Sequence, residues 1–146
     1  MTTVQVLVVD DHQLYRETFC NLLQGCFPHL NIVTAADGST ALSLTRRTAF
    51  ALLVLDYQLP TINGGDVIRH LRARGQATGP MVPRIILTST QPDVARFARM
   101  LRADAFLPKP TNADEITAVV HSVLEQPHSE INAPGPKLWH IQPRVA

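Results

Sequence analysis

Three carboxylates, a hydroxyl and an ammonium each stand at the end of a short apolar run in this chain of 146 residues. The run 6–9 leads into Asp10 and Asp11, 52–55 into Asp56, 85–87 into Thr88, and 106–107 stops just before Lys109. Two adjacent carboxylates repel unless a cation sits between them. An all-oxygen donor set with no His or Cys arrangement favours Mg2+ over zinc, with waters and phosphate oxygens completing the shell. Read alone, Asp10 and Asp11 suit a helix cap with a solvated neighbour better than a metal site. Asp56 has the type and place of a nucleophilic carboxylate that forms an aspartyl-phosphate, although by itself it could be a turn residue of the segment 56–64. The Thr88 hydroxyl could donate to a phosphoryl oxygen, and Lys109 could meet another as a compact point charge.

These side chains need a scaffold that brings strand ends together. Continuous β-branched and leucine runs are the signature of parallel strands covered by helices on both faces. In such sheets ligands sit outside the carboxyl ends of the strands, where strand order reverses. Strand and helix patterns alternate along the chain. Strands are expected at Val4–Val9, 30–34, 51–55, 84–87 and 105–107. Between them, Gln13–Cys26 forms an amphipathic helix with Leu14, Tyr15, Phe19, Leu22, Leu23 and Cys26 on one stripe. A second helix covers 39–47 after the Asp37-Gly38 turn, and a third covers 65–74. The segment 75–83, with two glycines and two prolines, reads as a loop. A fourth helix begins near Pro92 and turns Val94, Phe97, Ala98 and Leu101 inward. The last covers 112–125, capped by Thr111 or Asn112, with Ile116, Val119, Val120 and Val123 on its apolar stripe. Five strands and five helices in alternation predict an open, doubly wound α/β sandwich.

Composition narrows the function classes. With 45% hydrophobic and 17% charged residues the chain suits one globular domain over residues 1–125. A net charge of +1, from 13 basic and 12 acidic residues, supplies no global field toward nucleic acid or an anionic membrane, so partners must be recognised locally. Cys20 and Cys26 lie six residues apart on one predicted helix, a poor geometry for a disulfide, so reduced thiols and a cytoplasmic setting are expected. The amino terminus lacks signal-peptide character, and no apolar run approaches membrane-spanning length. Past Gln126 the periodicity fails: Pro127, Pro134, Gly135, Pro136 and Pro143 interrupt 126–146, leaving Leu138, Trp139 and Ile141 as an apolar cluster. This proline-rich tail is expected to be disordered, to dock on its own domain, or to bind a partner through Trp139. It is too short for a helix-turn-helix output domain.

Taken together, Val8-Val9-Asp10-Asp11, Leu55-Asp56-Tyr57-Gln58-Leu59-Pro60 with Asn63-Gly64, Leu87-Thr88-Ser89 and Phe106-Leu107-Pro108-Lys109-Pro110 resemble the receiver domain of two-component response regulators. The resemblance covers about residues 4–125, with intervals of 46, 32 and 21 residues from Asp10 to Asp56 to Thr88 to Lys109. It implies a flavodoxin-like five-stranded parallel sheet of order 2-1-3-4-5. It also implies that Asp56 accepts the phosphoryl group, that Asp10 and Asp11 with Asp56 and the backbone carbonyl of Gln58 hold Mg2+, and that Thr88 and Lys109 bind the phosphoryl oxygens. Lys109-Pro110 is expected to be a cis peptide. Thr88 and Phe106 match the family's switch pair, in which movement of the hydroxyl toward the phosphoryl group opens a gap for the aromatic ring. Phe106 lacks the hydroxyl of the Tyr that many members carry there, and it also reads simply as a core strand residue.

Other departures bear on output. Leu101-Arg102-Ala103-Asp104 stands where the family usually has a glycine before the fifth strand, so Arg102 implies either a strained left-handed residue or a differently ended helix. His12 follows the acid pair, as in many receivers joined to helix-turn-helix outputs. It reads as a polar residue at the edge of the site in preference to a zinc ligand.

The expected function is a stand-alone, phosphorylation-controlled signalling switch with limited self-catalysed phosphorylation and dephosphorylation. A histidine kinase or phosphotransfer protein supplies the phosphoryl group, and an unknown protein lies downstream. Helix four (Arg96, Arg99), strand five (Asp104) and helix five (His121, Glu125) offer a charged face for a symmetric homodimer. Two alternatives remain: the receiver portion of a DNA-binding regulator, and a receiver-shaped scaffold that works without phosphorylation. A haloacid-dehalogenase-type phosphatase is disfavoured because Gln58 stands where its second aspartate would be.

Overall fold

The computed structural model describes residues 3–78 and 82–125. Five parallel strands, β1 (Val4–Val9), β2 (Leu30–Ala35), β3 (Leu52–Asp56), β4 (Arg84–Ser89) and β5 (Ala105–Pro108), form one sheet in the order β2-β1-β3-β4-β5. Five helices alternate with them: α1 (Gln13–Cys26), α2 (Gly38–Arg47), α3 (Gly64–Thr78), α4 (Val94–Met100) and α5 (Ala113–Glu125). This is the flavodoxin-like receiver fold, and strand order reverses at β1 and β3.

The period of two in a strand divides the core. Val6, Val8, Leu52, Val54, Ile86, Ala105 and Leu107 pack with Phe19 and Leu23 of α1 and Ile116, Val119, Val120 and Val123 of α5. Leu7, Val9, Leu53, Leu55, Ile85, Leu87 and Phe106 pack on the other face against α2, α3 and α4. Both layers are built from buried apolar side chains, so truncating a fully buried leucine such as Leu55 or Leu87 to Ala would cost about 2–5 kcal/mol.

The termini that frame the carboxyl edge of the sheet are set by local side chains. His12 caps α1, its Nδ1 accepting from the Tyr15 N–H, while Asp37 caps α2 by accepting from the Thr40 N–H. Asn63 and Asp66 form a reciprocal box at the start of α3, each side chain accepting from the other's backbone N–H. Asn112, rather than Thr111, caps α5 by accepting from the Glu115 N–H. Gly64 has a steric reason: a Cβ there would lie 2.8 Å from the Asp56 carbonyl oxygen.

Four expectations are corrected. Leu14, assigned to the buried stripe of α1, is 68% exposed, because the stripe centres on Phe19 and Leu23 and Leu14 lies on the opposite side of the helix, beside exposed Glu17 and Asn21. The start of the expected 75–83 loop is helical, since α3 continues through Gly75 to Thr78. One glycine costs a helix only about 1 kcal/mol, and the helix is anchored by Leu71 in the core and by Arg74 donating to Thr45 Oγ1 and the Leu42 carbonyl. Helix α4 starts at Val94 rather than at Pro92, which lies in a preceding turn closed by Val94 N–H donating to the Gln91 carbonyl. Asp104, assigned to an exposed charged face, is buried: its backbone N–H donates to the Ile85 carbonyl and its Oδ2 accepts from the Ile85 N–H. Cys20 and Cys26 are free thiols, as expected. The readings of 126–146 lie outside the described residues.

Candidate functional site

Strand ends converge at the carboxyl edge of the sheet. Asp10 follows β1, Asp56 ends β3, and Asp56 stands in register with Thr88 on β4, which is itself in register with Leu107 on β5. Asp10, Asp56 and Thr88 are each only 3% exposed, whereas Asp11 faces solvent. Carboxylate oxygens of Asp10, Asp11 and Asp56 all lie within 4.8 Å of one another. Three negative charges at that spacing, two of them largely desolvated, create a demand for positive charge.

Lys109 meets part of that demand. Its Nζ lies 2.6 Å from Asp10 Oδ2 and 2.9 Å from Asp56 Oδ2, with the side chain only 8% exposed. The Lys109 N–H donates to the Ser89 carbonyl, and the Lys109–Pro110 peptide bond is cis. Arg16 donates to the Asp10 carbonyl at 2.7 Å. Asp10 Oδ1 accepts from the His12 N–H at 2.9 Å and Asp56 Oδ1 from the Gln58 N–H at 3.1 Å, so the backbone orients both carboxylates. Burial raises the Asp56 pKa, opposed by its hydrogen bond from Lys109. The donor set fits a small hard cation: three carboxylates gather in one place, and a single ammonium cannot neutralise them. Among the described residues, Asp10, Asp11 and Asp56 form a carboxylate group able to hold such an ion.

The sequence-derived site residues thus divide. Asp10, Asp11, Asp56 and Lys109 share one cluster, and Thr88 adjoins it through the β3–β4 register. Phe106 does not join them; it is buried in the layer facing α2, α3 and α4. His12 sits at the edge as the α1 cap, and Arg102 is a left-handed residue with φ 57°. Sequence reading missed Tyr15 as a site neighbour: the Lys109 ammonium lies 4.5 Å from its ring centroid. Tyr15 was legible only as an apolar stripe residue, although its place one turn after the acid pair was the available signal. Also missed were Thr90, whose hydroxyl donates to Gln58 Oε1 at 3.2 Å, and the face-to-face pair of Tyr57 and Phe97. Arg72 was missed too, and its guanidinium donates to the carbonyls of Leu101 and Arg102 at the end of α4. No helix among the described residues is long and apolar enough to cross a membrane.

Comparison with known proteins agrees with this arrangement. Residues 6–121 match the family model described as the response regulator receiver domain. The chain is 33% identical over 129 residues to response regulator MprA of Mycobacterium bovis, covering 88% of this chain and 54% of that protein. It is 32% identical over 124 residues to the "Probable transcriptional regulatory protein TcrX" of Mycobacterium tuberculosis, covering 84% of this chain and 50% of that protein. The chain therefore spans about half the length of these curated relatives. Among solved structures, chemotaxis response regulator CheY4 of Vibrio cholerae superposes with a TM-score of 0.71 at 25% identity, covering 84% of this chain and 99% of that one. A LuxR-family two-component response regulator from Aurantimonas sp. superposes with a TM-score of 0.71 at 27% identity, covering 84% of this chain and 86% of that one. With the acidic cluster at the sheet edge and the family match over most of its length, this chain belongs to the response regulator receiver domains of two-component signalling.

Proposed function

We propose that this protein is a phosphorylation-controlled signalling switch whose Asp56 accepts a phosphoryl group from a histidine kinase or phosphotransfer protein. The observation that carries the reading is the placement of the Asp56 carboxylate beside Asp10, Asp11 and the Lys109 ammonium. Asp56 attacks phosphorus, forming an O–P bond as the P–N bond to the donor histidine breaks. Asp10, Asp11, Asp56 and the Gln58 carbonyl would hold Mg2+, which would supply positive charge against the phosphoryl oxygens. Thr88 donates its hydroxyl to one phosphoryl oxygen, and Lys109 exchanges its contact with Asp56 for another. Activity beyond this transfer and its hydrolysis is not required, and the setting is cytoplasmic.

Output runs through α4, β5 and α5, either to a downstream protein or to a second copy. Arg96, Arg99, His121 and Glu125 are exposed on that face together with Met100. His121 and Glu125 already pair along α5 at 3.2 Å, so surface ion pairs would set register there more than affinity. Movement of Thr88, with Phe106 following, is the switch that alters the face. The half-length match to a transcriptional regulatory protein supports a second reading, in which this receiver serves a DNA-binding output domain.

Incubation with phosphoramidate or acetyl phosphate and Mg2+, followed by intact-mass analysis, tests the central claim. One phosphoryl group is expected on the wild type, none on Asp56→Asn, and none when the metal is removed by chelation. Equal labelling of Asp56→Asn would overturn the assignment, and an unlabelled wild type that still binds its partner would favour the phosphorylation-independent scaffold.

A further inference from the structure

The Lys109 ammonium is held from two sides. Asp10 and Asp56 contact it through their carboxylates, and the ring of Tyr15, from the first turn of α1, lies beneath it at 4.5 Å. The Lys109 side chain is nearly buried, and a cation over an aromatic face is held more strongly when water is excluded. The ring is fixed in turn. It stacks on Phe19 with centroids 6.4 Å apart, and Phe19 is anchored in the core beneath α1. The Tyr15 hydroxyl is buried and has no hydrogen-bond partner among the described residues. Burial raises the phenol's pKa, with Asp10, Asp56 and Glu115 adding to it, so the ring stays neutral beside the ammonium. The face of the ring, not its hydroxyl, is what touches the site.

We propose that Tyr15 is a positioning residue for phosphoryl transfer, its ring seating the Lys109 ammonium beside Asp56 before the donor arrives. The inference rests on the reading of Asp56 as the acceptor. Lysine is a point charge on a flexible four-carbon stem, and a charge already in place loses less freedom when the phosphoryl oxygens reach it. A leucine at this position would fill similar space yet offer no negative π face.

Two measurements on the full chain test the proposal. In NMR spectra, the Lys109 ε-methylene protons are expected upfield through the ring current in the wild type and in Tyr15→Phe, and back at ordinary positions in Tyr15→Leu. The rate constant for labelling by phosphoramidate with Mg2+ should be retained in Tyr15→Phe and fall about threefold to tenfold in Tyr15→Leu, the range open to a partly buried cation–π contact. In a Lys109→Ala background, Tyr15→Leu should cause no further loss. Tyr15→Met serves the same comparison if leucine disturbs the packing of α1. An absent upfield shift in the wild type, equal rates in wild type and Tyr15→Leu, or the same loss with and without Lys109 would each overturn the positioning role while leaving Asp56 as acceptor. A wild type that takes no phosphoryl group would instead remove the acceptor reading and the kinetic role together, with the ring-current comparison still deciding the seat itself.

Discussion

Tyr57, the residue after Asp56, stacks on Phe97 of α4 with ring centroids 4.6 Å apart and planes 4° from parallel. The pair joins the loop after the acidic cluster to the helix of the proposed output face. Helix α4 has only seven residues, and its Asp93 cap makes no side-chain hydrogen bond, so packing rather than capping must hold it. Phe97→Ala should therefore lower stability by about 1–3 kcal/mol, and Phe97→Leu by about 0.5–1.5 kcal/mol through loss of stacking alone. Urea unfolding checks both values, and a Phe97→Leu variant as stable as the wild type would remove the special role of the stack.

The raised pKa of Asp56 makes a stability statement with a definite sign. Burial is its largest cause, so the folded state binds the Asp56 proton more tightly than the unfolded chain does. Below the ordinary aspartate value of about 4, both states are protonated and the ionisation costs nothing. As pH rises through the folded pKa, the buried charge destabilises the metal-free protein. Asp56→Asn should then have a higher melting temperature than the wild type near neutral pH without Mg2+, with the difference closing as pH falls through the carboxylate range. Thermal melts across pH in chelator would show this, and a gap that widens toward acid would contradict it.

Arg72 and Arg102 should respond in opposite directions. The Arg72 guanidinium bonds the carbonyls just after α4, and Arg72→Met leaves the half-buried Leu101 carbonyl unpaired while the exposed Arg102 carbonyl turns to water, at a cost of about 1–2 kcal/mol. Arg102 holds φ 57° with a Cβ that disfavours it, so Arg102→Gly should stabilise by about 0.5–1 kcal/mol while its carbonyl stays in place for Arg72. Denaturant midpoints decide both, and a destabilised Arg102→Gly would mean that the Arg102 side chain contributes more than its backbone strain costs.

Lys109→Ala should keep the fold but uncouple phosphorylation from the response of the output face, because the ammonium ties Asp56 to the loop before α5. Sedimentation at rising protein concentration, with and without beryllofluoride, is expected to show phosphoryl-analogue-dependent association in the wild type and none in Lys109→Ala. Unchanged association in the variant would remove that role, and a wild-type monomer under both conditions would assign the face to a different partner.

The boundaries of β1 and α1 could be read from the sequence because a period of two or of 3.6 is written along a single segment, and both segments run as their patterns indicate. The identities of Asp10, Asp11, Asp56, Thr88 and Lys109 were legible for a related reason: each stands where an apolar run stops, and parallel topology brings such ends to one edge. Helix α3 was harder. Gly75 argued for a loop, but the local cost of one glycine is smaller than what Leu71 and Arg74 gain by packing against the core and α2. Asp104 looked exposed because charge usually is, and only the approach of β4 showed a backbone N–H waiting for its carboxylate. Tyr15, Phe97 and Arg72 act through partners 94, 40 and about 29 residues away in the chain, at Lys109, Tyr57 and Leu101. Periodicity records which face of an element is apolar; it carries no record of which distant side chain meets that face, and that was decided by the packing of one helix layer against the next.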